Sequence, residues 1–267
     1  MKEEKVKIKD KYYEIQKFYP ESGQKKVLKV FSKEENKNYI FKILKFNDMS
    51  DLNRIYLEGE TLSKIISNNF AKIYMQDIDL ENKEYKILEE YIEGETLREK
   101  IQKYKGNEEE CIKLFKKIIL AMKNLWKKDI IHRDLKPENI IIKNDGEPVI
   151  LDLGIVKVLT ANKNVTLLNE KMPFTNYYCA PEQYKNEENS LSIRTDFFIL
   201  GIVLGEMYTG KHIFENAEGE RNILGDFNKT GNQKLDILLN KLLAKEPFNR
   251  FRTEDKILDY LNKEWGV

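Results

Sequence analysis

The sequence predicts an α+β fold in which short strands come first and long helices follow. Residues 12–46 break into runs rich in aromatic and β-branched residues, separated by turn-forming residues. Between 107 and 128 the apolar residues recur every three to four positions, over a length that suits a helix. A further apolar run with helical length, 194–210, follows near the end.

The first strand is Tyr12 to Phe18, which PESG interrupts. Val27 to Phe31 resumes the pattern, ENKN breaks it, and Tyr39 to Leu44 completes a three-strand meander. Asn53 to Ile66 has helical spacing, with Ile55, Leu62, Ile65 and Ile66 on one side. Asn107 to Lys128 is an amphipathic helix: Phe115, Ile118, Ile119, Met122, Leu125 and Trp126 form its core stripe and lysines cover the other side. After it come the loop IIHRDLKPEN, residues 130–139, and the apolar run Ile140 to Ile142. Val149 to Leu151 is a short buried strand, ended by Asp152-Leu153-Gly154.

Composition narrows the class. The 267 residues carry 46 Lys and Arg against 45 Asp and Glu, a net charge of +1. No global field favours nucleic acid or a membrane surface, and the interleaved signs suit a solvated exterior. Charged residues are 34% and hydrophobic ones 41%, as in a soluble globular protein with a real core. Two cysteines, Cys111 and Cys179, make a disulfide framework unlikely to be the organising principle and point to a reducing cytoplasm. The stretch MKEEKVKIKDK lacks the apolar core of a signal peptide. Phe197 to Leu204 is too short to span a bilayer.

The loop carries the chemistry. Pro137 argues against a helix interior, and a loop can bend Asp134 and Asn139 inward together. Asp134 can accept a proton from a hydroxyl, and Lys136 can hold the anion that the hydroxyl attacks. Asn139 offers a carbonyl oxygen suited to a hard cation such as Mg²⁺, and Asp152, at a strand end before Gly154, is a natural second ligand.

In order and spacing, IHRDLKPENI and DLG resemble the catalytic loop and metal-binding triplet of the eukaryotic-like, Hanks-type serine/threonine protein kinases. The resemblance extends from about Tyr12 to about Tyr260. It implies a bilobal protein kinase-like fold forming one domain, 1–267. Residues 1–90 would be a small antiparallel β-sheet lobe with one helix, 91–94 a hinge, and 95–267 a larger, mainly helical lobe. It also implies ATP with Mg²⁺, or Mn²⁺ in its place, and a protein substrate whose serine or threonine takes the phosphoryl group. By resemblance, Asp134, Lys136 and Thr175 are catalytic, and Asn139 and Asp152 hold the metal. Nucleotide contacts fall on Gly23, Val27, Lys42, Glu58, Glu89, Glu90, Tyr91, Ile92 and Ile141. Lys42, in YIFK, would bind the α- and β-phosphates and pair with Glu58, for which Glu60 is the rival. Glu182 of APE would pair with Arg250, and Asp196 would brace the loop backbone. Arg133 and Lys157 would receive a phosphate on Thr166 or Thr160 in the activation segment. His212 reads as a surface or turn residue.

Three positions depart from the family. Only Gly23 remains of the glycine-rich phosphate flap, Ile40 stands where a small alanine is usual, and Glu89 takes an apolar gatekeeper's place. A carboxylate there is costly unless paired, and the sequence names no partner. Two other functions compete: a nucleotide-binding docking module without strong catalysis, and a small-molecule phosphotransferase. The retained Lys42, Asp134, Asn139 and Asp152 oppose the first, and the APE terminus opposes the second. Incubation with ATP is expected to add phosphate mass to the wild-type chain and not to Thr166→Ala. An unchanged mass in the wild-type chain, with full activity in Thr166→Ala, overturns that assignment.

Overall fold

A computed structural model describes residues 4–20, 25–48, 67–151, 177–185 and 187–267, together with Leu52, Tyr56, Lys157 and Val158. The chain divides into two compact units, Met1–Glu93 and Gly94–Val267.

The first unit is built on an antiparallel sheet of β1 (Lys5–Ile8), β2 (Lys11–Phe18), β3 (Lys25–Ser32), β4 (Lys37–Lys45), β5 (Ile73–Asp79) and β6 (Glu84–Glu90). Their order across the sheet is β1-β2-β3-β4-β6-β5. Period-two burial drives it: one face of β3 and β4 puts Leu28, Val30, Tyr39 and Phe41 against Ile8, Tyr13 and Leu88. Beyond the three-strand meander, and the last strand of the small lobe that the resemblance places from Tyr85, the sheet has two more strands. In KVKI, lysines alternate with Val6 and Ile8, and Ile8 is buried, so β1 forms from a run too short to stand out beside its charges. In β5, a register shift between Ile73 and Met75 breaks the alternation that would have revealed it.

The second unit is mainly helical. Its helices are α1 (Leu97–Tyr104), α2 (Glu108–Trp126), α3 (Pro181–Tyr184), α4 (Ile193–Thr209), α5 (Gln233–Leu242) and α6 (Glu254–Trp265). Thr96 and Glu99 form a capping box that starts α1, and the Asn107 side chain accepts from the Glu110 amide to start α2. Helix α4 is buried nearly all round, from Thr195 to Met207. Close approach is why glycine sits inside it: a Cβ on Gly201 would lie 2.9 Å from side-chain atoms of Leu242 and Leu243. Short strands complete the unit: β7 (Glu95–Thr96), β8 (Ile130–Ile131), β9 (Ile140–Ile142), β10 (Pro148–Ile150) and β11 (Lys157–Val158). The β9–β10 hairpin also pairs with β7, and β11 pairs with β8. Among the described residues, no helix is long and apolar enough to cross a membrane.

One ion pair ties α3 to the region after α5. The Arg250 and Glu182 side chains are 0% and 1% exposed, and Arg250 Nη1 lies 2.7 Å from Glu182 Oε1. Arg250 Nη2 donates to Glu182 Oε2 at 2.8 Å. The other guanidinium donors reach the carbonyls of Ala244, Arg194 and Lys245, and the Thr195 hydroxyl donates to Glu182 Oε1. Five donors are thereby used, the condition under which burying such a pair is tolerated. Arg250→Met strands the Glu182 carboxylate and is expected to cost about 3–5 kcal/mol by urea denaturation, while adding Glu182→Leu recovers part of the loss.

Candidate functional site

The loop 132–139 is held from below by the start of α4. Asp196 is fully buried; its Oδ2 accepts from the His132 amide at 2.9 Å and from Trp126 Nε1 at 2.9 Å. Its Oδ1 accepts from the Arg133 amide at 2.9 Å. Burial pushes the Asp196 carboxyl above the ordinary carboxylate range, while the His132 ring and these N–H donors pull it back. Arg133 has φ +70°, a left-handed conformation costly for a side chain with a Cβ. Its amide is fixed by Asp196, and its carbonyl accepts from Gln183 Nε2 at 3.1 Å. The strain is therefore held from two sides.

Beyond Arg133 the polar groups gather. Asn139 Nδ2 donates to the Asp134 carbonyl at 2.9 Å and to Asp134 Oδ2 at 3.2 Å. Lys136 Nζ lies 3.4 Å from the same Oδ2. The turn Pro137–Asn139 is a 3₁₀ helix whose last amide donates to the Lys136 carbonyl, which brings Asn139 back toward Asp134. Asp134 is about one-quarter exposed, so it can meet a substrate hydroxyl. The Leu151 amide donates to the Asn139 carbonyl at 2.7 Å and ties the loop to the end of β10. Lys157 pairs through its backbone with Ile131. Ile141 lies in β9, half-buried, opposite Val149 and Thr96. Gly94 fits against β9 because a Cβ there would lie 2.6 Å from the Ile142 carbonyl oxygen.

In the first unit, Lys42 is buried and its Nζ lies 2.5 Å from Glu89 Oε2. Ile40 faces Glu89 and Lys42 faces Ile87 in the β4–β6 register, so Lys42 and Glu89 are diagonal neighbours on one face. Val27 faces Lys42 from β3. The partner that the sequence left unnamed for Glu89 is therefore Lys42. At the end of β6, the Glu90 amide donates to the Lys72 carbonyl at 2.8 Å. Lys29 Nζ lies 3.9 Å from the Tyr91 ring centroid, and Ile92 is half-buried beside it in sequence.

Gly23, Glu58, Asp152, Thr160, Thr166 and Thr175 lie outside the described residues, as do Glu60 and most of 53–66. Among the described residues no three His, Cys, Asp or Glu side chains cluster as metal ligands. The donor set still fits a hard cation. Asn139 spends its amide nitrogen on Asp134, which leaves oxygen chemistry for a ligand.

Several contributors were not foreseen. Arg98 of α1 donates to Glu138 Oε1 at 2.7 Å, to Glu206 Oε1 at 2.6 Å and to the Tyr178 hydroxyl at 2.5 Å. Tyr178 in turn hydrogen-bonds Glu206. One guanidinium thus joins α1, the loop, the stretch before α3 and α4. A glutamate inside the apolar α4 was the available signal. Gln183 was silent as a surface-type residue three positions past Ala180.

His212 corrects the sequence expectation: it is 2% exposed rather than a surface residue. Its Nε2 donates to the Tyr177 carbonyl at 3.1 Å, and its Nδ1 accepts from the Phe214 amide at 3.3 Å. The aromatic ring of Tyr178 packs on it edge to face at 5.0 Å. Burial, reinforced by Arg221, lowers its pKa to about 4.

Residues 22–265 match the sequence profile described as the protein kinase domain. A probable serine/threonine-protein kinase of Clostridium perfringens is 31% identical, covering 96% of this chain and 39% of that protein. Serine/threonine-protein kinase PrkC of Bacillus subtilis is 29% identical over 80% of this chain and 34% of its own length. Serine/threonine-protein kinase Nek1 of Mus musculus is 32% identical over 90% of this chain and 20% of its own. The chain thus spans well under half the length of these relatives.

The His212 geometry carries a pH dependence. A histidine held neutral in the folded state stabilises fully above its unfolded pKa of 6.5 and loses that contribution as pH falls toward about 4. Between pH 7.5 and pH 5 the loss is expected to be about 2 kcal/mol, from the depressed pKa and about 1.4 kcal/mol per unit. Urea titrations at the two pH values check it. His212→Gln should remove that part of the slope.

Proposed function

This chain belongs to the protein kinase family, and from that premise we propose that it transfers the γ-phosphoryl group of ATP to serine and threonine hydroxyls of proteins. The observation that carries the reading is the grouping of Asp134, Lys136 and Asn139 around one carboxylate oxygen. The two compact units are its small and large lobes, joined through 91–94.

The reaction asks for positioning and charge compensation more than covalent chemistry from the protein. Asp134 orients the substrate hydroxyl and takes its proton late. The O–H bond breaks, a bond forms from that oxygen to the γ-phosphorus, and the bond from the γ-phosphorus to the bridging oxygen breaks to release ADP. Lys136 offsets negative charge on the group in transit. Lys42 holds the α- and β-phosphates. Val27 and the backbone of Glu90, Tyr91 and Ile92 take the adenine, with Gly23 near the phosphates. Asn139 and Asp152 would hold a divalent cation, Mg²⁺ by preference with Mn²⁺ as a substitute, which when bound neutralises phosphate charge.

Thr175 steadies Asp134 and Lys136, and Arg133 with Lys157 receives the phosphate of Thr166 or Thr160. The cytoplasm is the compartment that suits two buried cysteines outside any disulfide, Cys111 and Cys179, each with its thiol pushed up to about 12 mainly by burial.

The test is phosphate transfer from labelled ATP with Mg²⁺ to a general protein substrate. Asp134→Asn is expected to lower kcat by about 10²- to 10⁴-fold, the usual contribution of a positioned base. Labelling that persists at the wild-type rate in the variant overturns the assignment, and label found on small metabolites alone overturns the substrate class.

A further inference from the structure

Glu89 is one of the three positions at which the first unit departs from its family, and it is also the residue found against Lys42. Both side chains are mostly removed from water, 8% exposed for Lys42 and 13% for Glu89, and they meet at 2.5 Å. Apolar side chains are next to them on that face: Ile40 stands opposite Glu89, and Val27 and Ile87 flank Lys42, with Lys29 beyond Ile40 and Gln76 beyond Ile87. In such surroundings a charge pair is less screened than on a surface, and an amine without compensation is costly.

The placement is rigid for a second reason. Lys42 and Glu89 are on strands joined by a continuous ladder from Tyr39↔Glu90 to Lys45↔Glu84. That ladder fixes the backbone of Glu89 and so keeps its carboxylate within reach of the Lys42 amine. The helix glutamate implied by the family resemblance, Glu58, would reach Lys42 from a separate element.

We infer that Glu89 is a positioning residue for Lys42, holding from within the sheet the amine that takes up the nucleotide's phosphates. This rests on the reading of Lys42 as the phosphate ligand. Glu89 acts on the phosphates through Lys42. Lys42 meets the α- and β-phosphates before and during transfer alike. A misplaced amine therefore shows mainly in KM for ATP and less in kcat.

The experiment compares binding of MgADP and of adenosine, by calorimetry, to the wild-type chain, Glu89→Gln, Glu89→Asp and Lys42→Met. Thermal unfolding without nucleotide confirms that each variant is folded. Glu89→Gln is expected to weaken MgADP by about fivefold, the difference between a charged and a neutral partner for the amine, and to leave adenosine unchanged. Glu89→Asp, which keeps the charge, should restore part of the loss, and it stands in for the glutamine variant should that one fail to fold. The KM for ATP should rise in step with the MgADP constant. Unchanged or tighter MgADP binding in Glu89→Gln overturns the inference, as does an equal loss for adenosine. If Lys42→Met binds MgADP like the wild type, the reading of Lys42 fails instead, so the two failures are distinguishable.

Discussion

The loop 132–139 hangs from a carboxylate that joins it from 64 residues further along the chain. Asp196 is stripped of water, and a bare ionised carboxyl in that position would cost several kcal/mol. Two loop amides and the Trp126 indole supply what water would have given. The dependence runs both ways. The carboxylate needs those donors, and the loop needs the carboxylate to keep Arg133 in its left-handed conformation. With that turn set, Asp134 and Asn139 come within hydrogen-bond distance five residues apart.

Around this anchor the second unit uses long-range ionic contacts of a particular kind. Arg250 with Glu182, and Arg98 with Glu138, Glu206 and Tyr178, each join segments far apart in sequence. They differ from exposed pairs such as Lys113–Glu109, which contribute about 0–1 kcal/mol because water and mobile side chains compete. A planar guanidinium, with its donors fixed in a fork, can hold several carboxylates and carbonyls in one geometry. Both arginines do so here, and His212 adds a neutral link from the Tyr177 carbonyl to the chain after α4.

The first unit depends on a different principle. Its sheet sorts residues by parity, with Leu28, Val30, Tyr39, Phe41 and Leu88 to the core and Val27, Ile40, Lys42 and Glu89 to the other face. A glutamate that looks misplaced in sequence becomes the neighbour of a lysine through strand register alone. Register decides the pairing of Lys42 with Glu89: a one-residue slip of β6 would carry Glu89 to the opposite face.

Much of this was legible in the residues themselves. Strand runs, the stripe of α2 and the motif HRDLKPEN are local patterns, dictated by side-chain period and by chemistry within ten residues. They sufficed for the α+β class, the family and the loop's polar trio. Strands β1 and β5 escaped notice because lysines and a register shift mask their period. The union of Lys42 with Glu89, the threefold grip of Arg98, the role of Gln183 and the burial of His212 were decided by tertiary structure. Each joins groups whose meeting depends on register or on the approach of distant segments, and no local pattern encodes that distance.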